Sequence, residues 1–584
     1  MIGRLKQSCK SVEALTLVML SALPAVASAQ KPADAPVVRT LSAADRRAID
    51  AIFKAHDTPR SPGCALGVMQ GGTLAYARGY GMADLERRAP ITPTTAFDIG
   101  STSKQFTAAS LALLVEDGKL SFNDDVRKYI PELPDYGTPI TIDRLLRHTS
   151  GLRDYNGLLA LAGYSLEEVT TDSQALALIA RQRRLNFPPG SRHEYSNTGY
   201  FLASVIIKRV SGLSLADFSR ERIFRPLGMT RTVFRNQFAM LIPGRALGYA
   251  PDEHGGFQIS MSNWEETGDG ALHLTVEDAL KWDENFYHPR VGGPALIDWL
   301  QERGRLANGE TIAYARGLFV DEYRGVRRVH HGGDWIGYHA AFNRYPAQHT
   351  SIVIFCNSDA IAPTALADRV ADIVLARQLA ARTPTVAANA SQSGAPSNGV
   401  APHLQSGRFV GSYLVAESRM VFRIAEDSGK LALLLGGRSL PLRPKDSTTF
   451  AVGDFPAVVE FSLDSGIART MRLRVDGDKG EPALRFAAVA PSTEELGRYN
   501  GSYYSPELGV TWPIALDGGK LVIKSQKRSL LDVGGPLEPA TKDAFYAATW
   551  GGFLQFTRDA SGGITGFDLS SSRMRDIRFE LRQP

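Results

Sequence analysis

Phe97-Asp-Ile-Gly-Ser-Thr-Ser-Lys104-Gln-Phe-Thr-Ala-Ala-Ser-Leu-Ala-Leu-Leu-Val-Glu-Asp-Gly118 is the stretch that decides how the rest of the chain is read. It has the apolar content of a buried helix and opens on a serine, with Ser101 and Lys104 in the spacing S-x-x-K. Residues three apart share a helical face, so hydroxyl and amine point into one site if a helix begins at Ser101. Burial strips water from the ammonium, and the positive end of the helix dipole disfavours its charge further. A lysine so placed can act as a base, which at neutral pH requires its pKa to fall from ~10.4 to roughly 7–8. Two fixed residues also arise by chance in a chain of this size, so the pair by itself is equally readable as a helix start with a solvated lysine.

Outward from this helix, Ser42 to Lys54 has helical spacing, and Cys64 to Gln70, Gly71-Gly72 and Thr73 to Arg78 read as a β-hairpin. Downstream, helical stretches such as Tyr200 to Val210 alternate with loops, and the region returns to strands at His339 to Tyr345 and Ser351 to Cys356. Strands at both ends with helices between predict one α+β domain over residues 41–382, its sheet joining the two ends and holding Cys64 and Cys356 together. Residues 383–406, rich in Pro, Gly, Ser and Ala without periodicity, read as a flexible linker.

Beyond the linker the chain repeats. Gly407-Arg-Phe-Val-Gly-Ser-Tyr413 recurs ninety positions later as Gly497-Arg-Tyr-Asn-Gly-Ser-Tyr503, and Gly429-Lys-Leu as Gly519-Lys-Leu. Short alternating runs broken by Asp/Gly turns predict two small antiparallel all-β units, barrels or sandwiches, at 407–490 and 491–584. Neither carries a cluster of catalytic residue types, so both are expected to be structural or interaction units.

At the other end, Arg4, Lys6 and Lys10 precede the apolar run Ala14 to Val26, which closes on Ala27-Ser-Ala29. Basic, then apolar, then small-x-small is the order of a cleavable secretory signal over 1–29, followed by a tail over 30–40. The run is too short to span a membrane, and Cys9 lacks a lipidation context, so a periplasmic or secreted protein without an anchor is expected. Cys64 and Cys356 remain; they could pair in an oxidising compartment, but their apolar runs read as two separate buried thiols.

A chain of 584 residues is too long for one core, and 43% apolar with 22% charged residues is ordinary for a folded soluble protein. The net charge of +5 is spread without a basic block, so nucleic acid is not expected as a partner. No G-x-S-x-G is present, His193-Glu194 fails H-E-x-x-H, and no cysteine pair has ligand spacing, so no metal or cofactor is expected.

Three further motifs join Ser101. Tyr195-Ser-Asn197 lies where a Pro/Gly loop runs into a helix, His331-Gly-Gly333 lies in a strand-like run where glycines allow close approach, and Leu145-Leu-Arg-His-Thr-Ser-Gly-Leu152 has a loop signature. In this order, S-x-x-K, Y-x-N and H-x-G, the set resembles the serine hydrolases of the penicillin-binding-protein and class C β-lactamase superfamily. The resemblance covers about Leu41 to Arg382 and extends to Phe224-Arg-Pro-Leu-Gly-Met and Gly268-Asp-Gly-Ala-Leu. It implies a β-lactamase/transpeptidase-like catalytic domain followed by the two β-repeats.

By the same resemblance, Ser101 is the nucleophile that forms an acyl-enzyme, Lys104 its base, and Tyr195 the proton relay to the leaving group. Asn197 would hold the acyl side chain's carbonyl, and His331 would hydrogen-bond Tyr195 or donate a proton. His331 is preferred over His330 because relatives place Gly-aromatic six residues on, where Gly337-Tyr338 stands. Gly333 and Asp334 belong to the substrate strand, the N–H groups of Ser101 and Asp334 forming an oxyanion hole worth about 2.7–4 kcal/mol per donor. His148 is expected to brace its loop, and Asp269 and Asp334 are given no side-chain role.

Where many relatives carry the lysine of K-T-G, a permanent cation for a carboxylate, this chain has a histidine that is largely neutral at pH 7. The resemblance therefore implies weak β-lactamase activity at best. It points to a peptidase or amidase acting on small peptides with a D-residue on the acyl side, as D-aminopeptidases and the peptidase of linearised microcystin do. A carboxylesterase and a penicillin-binding or peptidoglycan-sensing module are the alternatives, the partner in each enzymatic case being a small peptide or ester.

Overall fold

Cys64–Gln70 is buried along its whole length as an interior strand, next to the edge, of a six-stranded antiparallel sheet. A continuous apolar run of this length is what a strand covered on both faces requires. Its neighbours are Thr73–Tyr80 on one side and Thr350–Cys356 on the other, and the order continues through Tyr338–Tyr345, Val326–Trp335 and Phe319–Tyr323. The N-terminal and C-terminal segments of the domain are thus hydrogen-bonded side by side, as the α+β reading expects. This computed structural model describes residues 40–380 and 406–582, except 428, 436–437, 454–456, 476–479 and 525–532. The expected signal peptide, all but the end of the expected tail, and nearly all of the expected linker lie outside the described residues.

One face of the sheet is covered by the helices Ala43–Phe53 and Pro363–Val374, which pack on Leu66, Val68, Ile352 and Ile354. The first of these helices starts at Ser42, whose hydroxyl accepts from the Asp45 N–H while the Asp45 carboxylate accepts from the Ser42 N–H. The opposite face meets the larger helical region, with Phe106, Ala108, Ala109 and Phe201 against Phe97, Val353 and Phe355. The helix Lys104–Glu116 runs through this core, which explains an apolar content unusual for a surface helix.

The cysteines correct one expectation. Cys64 and Cys356 face each other in register at a Cα separation of 4.0 Å and form a disulfide, not two separate thiols. Each apolar run reads as a buried strand; only the pairing register puts the two sulfurs opposite one another.

The two repeats are closed eight-stranded antiparallel barrels, running from Gly411–Val415 to Pro482–Phe486 and from Gly501–Ser505 to Met574–Arg582. Closure removes the unpaired edges an open sheet of this size would expose. The second barrel's apolar core includes Leu158 and Leu161 of the catalytic domain, so the barrel is seated on that domain through buried side chains.

Candidate active site

Ser101 lies in a 3₁₀ turn, Gly100–Ser103, and the α-helix proper starts at Lys104. Successive third residues eclipse in a 3₁₀ turn. Hydroxyl and amine therefore still share a face, although the helix begins one turn later than the motif suggests. Gly100 takes φ +49°, with its N–H on the Asp98 carboxylate at 2.9 Å, and this left-handed residue bends the chain so that Ser101 is half-exposed at the helix mouth.

Lys104 is fully buried. Its Nζ stands 2.9 Å from Ser101 Oγ, 2.9 Å from Asn197 Oδ1 and 2.7 Å from the Asp269 carbonyl. A neutral amine has two N–H donors and one lone pair, and this set matches it: two fixed acceptors, and a hydroxyl able to donate. Burial pushes the lysine down to about 7, against the opposing pull of the Asp269 and Asp154 carboxylates. Desolvation, the first of the two causes expected from the motif, is the largest.

Asn197 opens the helix Asn197–Ser211 and its N–H donates to Asp154 Oδ2 at 2.7 Å. Tyr195, two residues before, has its ring 4.9 Å from Lys104 Nζ and 4.1 Å from the His148 ring. Burial raises the Tyr195 pKa, with the Ser101 hydroxyl opposing that rise. Its own hydroxyl is buried and makes no hydrogen bond of ordinary geometry among the described residues. An orphaned buried hydroxyl is costly, and an incoming polar atom beside Ser101 would satisfy it. His148 accepts the Ser196 N–H on Nδ1 at 3.2 Å, which braces the loop ahead of Asn197.

His331 lies on the strand Val326–Trp335, on the opposite face from His330, whose ring meets Asp321 instead. Phe319–Tyr323 pairs with this strand only as far as His330, so residues 331–335 form an open edge toward Ser101. Gly333 is also required by the protein's own packing. A Cβ on Gly333 would stand 1.9 Å from the Ile99 carbonyl, so the close approach is by the protein's own Ser101 turn. The same packing sets the Asp334 backbone beside Gly100, where a Cβ would lie 2.9 Å from the Asp334 N, while the Asp334 carboxylate turns away to His339 at 2.6 Å.

The expected bond from His331 to Tyr195 is not made. His331 Nδ1 faces the Gly332 carbonyl, so that nitrogen carries the proton, and Nε2 accepts from the Tyr314 hydroxyl at 3.1 Å. Burial next to Lys104 pushes the imidazole down to about 3, so it is neutral.

The structure therefore brings Ser101, Lys104, Tyr195 and Asn197 together, with His331 one tyrosine removed. Four participants escaped sequence reading. Asp154 and Asp269 flank the lysine, and the Asp269 carboxylate accepts from the Tyr155 hydroxyl at 3.0 Å. Only Asp269 left a trace in the sequence, as part of Gly268-Asp-Gly. Tyr314 left none. The fourth is Arg573, at the tip of a hairpin of the second barrel, its guanidinium 4.9 Å from the Tyr195 ring centre. Both repeats read from sequence as structural or interaction units, which gives this residue no place: no local motif marks an arginine delivered from so far along the chain.

With this geometry established, likenesses to known proteins can be placed. The family model described as Beta-lactamase matches residues 49–377. Penicillin-binding protein 4* of Bacillus subtilis is 30% identical over 431 residues, covering 70% of this chain and 92% of its own. A D-aminopeptidase of Brucella canis is 27% identical over 543 residues, covering 89% of this chain and 96% of its own, barrels included. The octameric penicillin-binding protein homologue from Pyrococcus abyssi superposes with a TM-score of 0.53 at 23% identity, over 75% of this chain and 99% of that one, which shows a shared fold.

Proposed function

Because the chain belongs to the Beta-lactamase family and is a serine hydrolase of it, we propose that it is a peptidase or amidase cleaving small peptides after a D-residue, through an acyl-Ser101 intermediate. The observation that carries this reading is the hydrogen-bond set of Lys104, a buried amine with two fixed acceptors and its remaining valence on the Ser101 hydroxyl. The lysine takes the hydroxyl proton as Ser101 attacks the carbonyl. The Tyr195 hydroxyl then passes its proton to the departing amine and takes one back from the Lys104 ammonium, a step an amide needs and an ester scarcely does. Preference for a D-residue is supported by the likeness to D-aminopeptidases across both barrels. A linear peptide with an internal D-alanine, of the kind linearised microcystin presents, belongs to this class.

The reading places the enzyme in the periplasm or outside the cell. Its basic, apolar, small-residue N-terminal order and the Cys64–Cys356 disulfide support an oxidising compartment.

The test compares wild type with Ser101→Ala on a short-chain nitrophenyl ester, D-Ala-p-nitroanilide and a linear peptide with an internal D-Ala bond. Anilide or peptide cleavage that disappears in the variant is the expected result. Ester cleavage alone would make the protein a carboxylesterase, and activity that survives Ser101→Ala would remove Ser101 from the mechanism.

A further inference from the structure

The site lacks the permanent cation that a K-T-G lysine would supply on the strand beside Ser101. His331 is neutral, and Lys104 is occupied by three partners. A permanent cation reaches the site from elsewhere in the chain. The strands Ile564–Ser571 and Met574–Arg582 of the second barrel are joined by the two-residue turn Ser572-Arg573, with Ser571 paired to Met574 and Ser572 at φ +44°.

This tip is held firmly. The Arg573 carbonyl accepts from the Asn186 side chain at 2.7 Å and from the Asp154 N–H at 3.3 Å, and Met574 packs so close to Gly157 that a Cβ there would lie 2.4 Å from its Cε. The arginine side chain is left with little to hold. Among the described residues it makes no hydrogen bond; its nearest charge partner is Asp154, 3.9 Å away, and it is 43% exposed. Asp154 is itself engaged by the Asn197 N–H. A guanidinium has five N–H donors in a fork suited to a carboxylate, and here they are nearly all unused.

We propose that Arg573 binds a carboxylate of the substrate on the leaving-group side of Ser101, so that the second barrel sets a preference for a leaving group ending in a free carboxylate. The side follows from position: the guanidinium lies over the ring of Tyr195, the residue whose hydroxyl serves the leaving group. The proposal rests on the peptidase reading for the nature of the leaving group, a C-terminal amino acid or short peptide. A charge-assisted, forked contact of this kind is worth on the order of ten- to a hundredfold in binding.

The experiment uses the full-length protein and two matched substrate pairs. One pair is N-acetyl-D-Ala-Gly and its C-terminal amide; the other replaces the scissile amide by an ester, as N-acetyl-D-Ala-glycolate and its glycolamide. The expected result is a kcat/KM for the free acid at least tenfold above that for the amide, carried in KM and reduced by salt. In Arg573→Ala the ratio falls to near one, and in Arg573→Lys most of it persists.

A wild-type ratio near one overturns the proposal. So does an Arg573→Ala ratio equal to wild type even if both rates drop, since that is the signature of a merely structural arginine. Should Arg573→Ala lose its cooperative thermal transition, Arg573→Gln against Arg573→Lys decides: a ratio kept by lysine and lost by glutamine supports carboxylate binding, and equal ratios overturn it. If the peptide pair and D-Ala-p-nitroanilide are both untouched and the ester pair is cleaved, the peptidase reading has failed, and the ester ratio still decides the role of Arg573.

Discussion

Lys104 shows how a single residue acquires its chemistry from burial. An ordinary lysine is charged at neutral pH, whereas this one is pushed down to about 7 and keeps a lone pair for the Ser101 hydroxyl. Only the neutral amine is a base, so kcat/KM is expected to rise with pH through a value near 7 and to be lost below it. Because burial raises the pKa of Tyr195, no matching fall is expected until strongly alkaline pH. A pH–rate profile measured on D-Ala-p-nitroanilide checks both limbs, and a flat profile from pH 5 to 8 would rule out Lys104 as the base. Lys104→Ala is expected to slow acylation by about 10²–10⁴, the usual range for losing a positioned base. His331 makes the complementary point. The resemblance implies a proton donor or a partner of Tyr195 at this position; in this structure the imidazole is neutral, with its protonated Nδ1 facing the Gly332 carbonyl and its Nε2 receiving the Tyr314 hydroxyl.

Among the elements, the pairing that matters most is the 3₁₀ turn against the open edge of Val326–Trp335. Thr102 Oγ1 donates to the His331 carbonyl at 3.3 Å, and Gly333 admits the Ile99 carbonyl where no side chain fits. This contact sets the distance between the nucleophile and the Asp334 backbone, so Gly333→Ala must push turn and strand apart. It is expected to destabilise the fold by about 1–3 kcal/mol, as overpacking typically does, with a lower melting temperature, and to cut kcat at least tenfold. Calorimetry and steady-state kinetics on the purified variant test this, and an alanine that leaves kcat intact would show that the spacing is not critical.

For the whole molecule, the second barrel is part of the catalytic architecture. Arg153, buried on the catalytic domain, pairs with Glu507 of the barrel at 2.7 Å, both side chains being 3% exposed or less. The Arg183 and Arg578 backbone N–H groups donate to the same carboxylate, and the Gln182 side chain donates to the Glu507 backbone carbonyl. Removing one partner of a buried pair leaves a stranded charge and costs about 3–5 kcal/mol, more than removing both. Arg153→Ala is accordingly expected to lower the melting temperature further than Arg153→Ala with Glu507→Ala, and to weaken activity through the Arg573 hairpin. Equal melting temperatures for wild type and single variant would deny the barrel its docking role.

Much of this protein is local enough to be read from its sequence. The buried helix after Ser101, the strands at both ends of the catalytic domain, the ninety-residue repeat and the motifs at Tyr195 and His331 all rest on periodicity or spacing within a few residues. The choice of His331 over His330 comes from the family resemblance, and strand alternation places the two rings on opposite faces. What the sequence could not decide depends on register and on contacts between segments far apart. Cys64 meets Cys356 because two apolar strands pair at one register among several; Gly333 serves the Ser101 turn because tertiary packing brings that turn in; and Tyr314, Asp154 and Arg573 enter the site from three separate segments. Hydrophobic patterning acts along the chain and specifies which elements form. The position of a charge in the active site is set by the summed packing of the barrel on the domain, so only the tertiary structure places Arg573 over Tyr195.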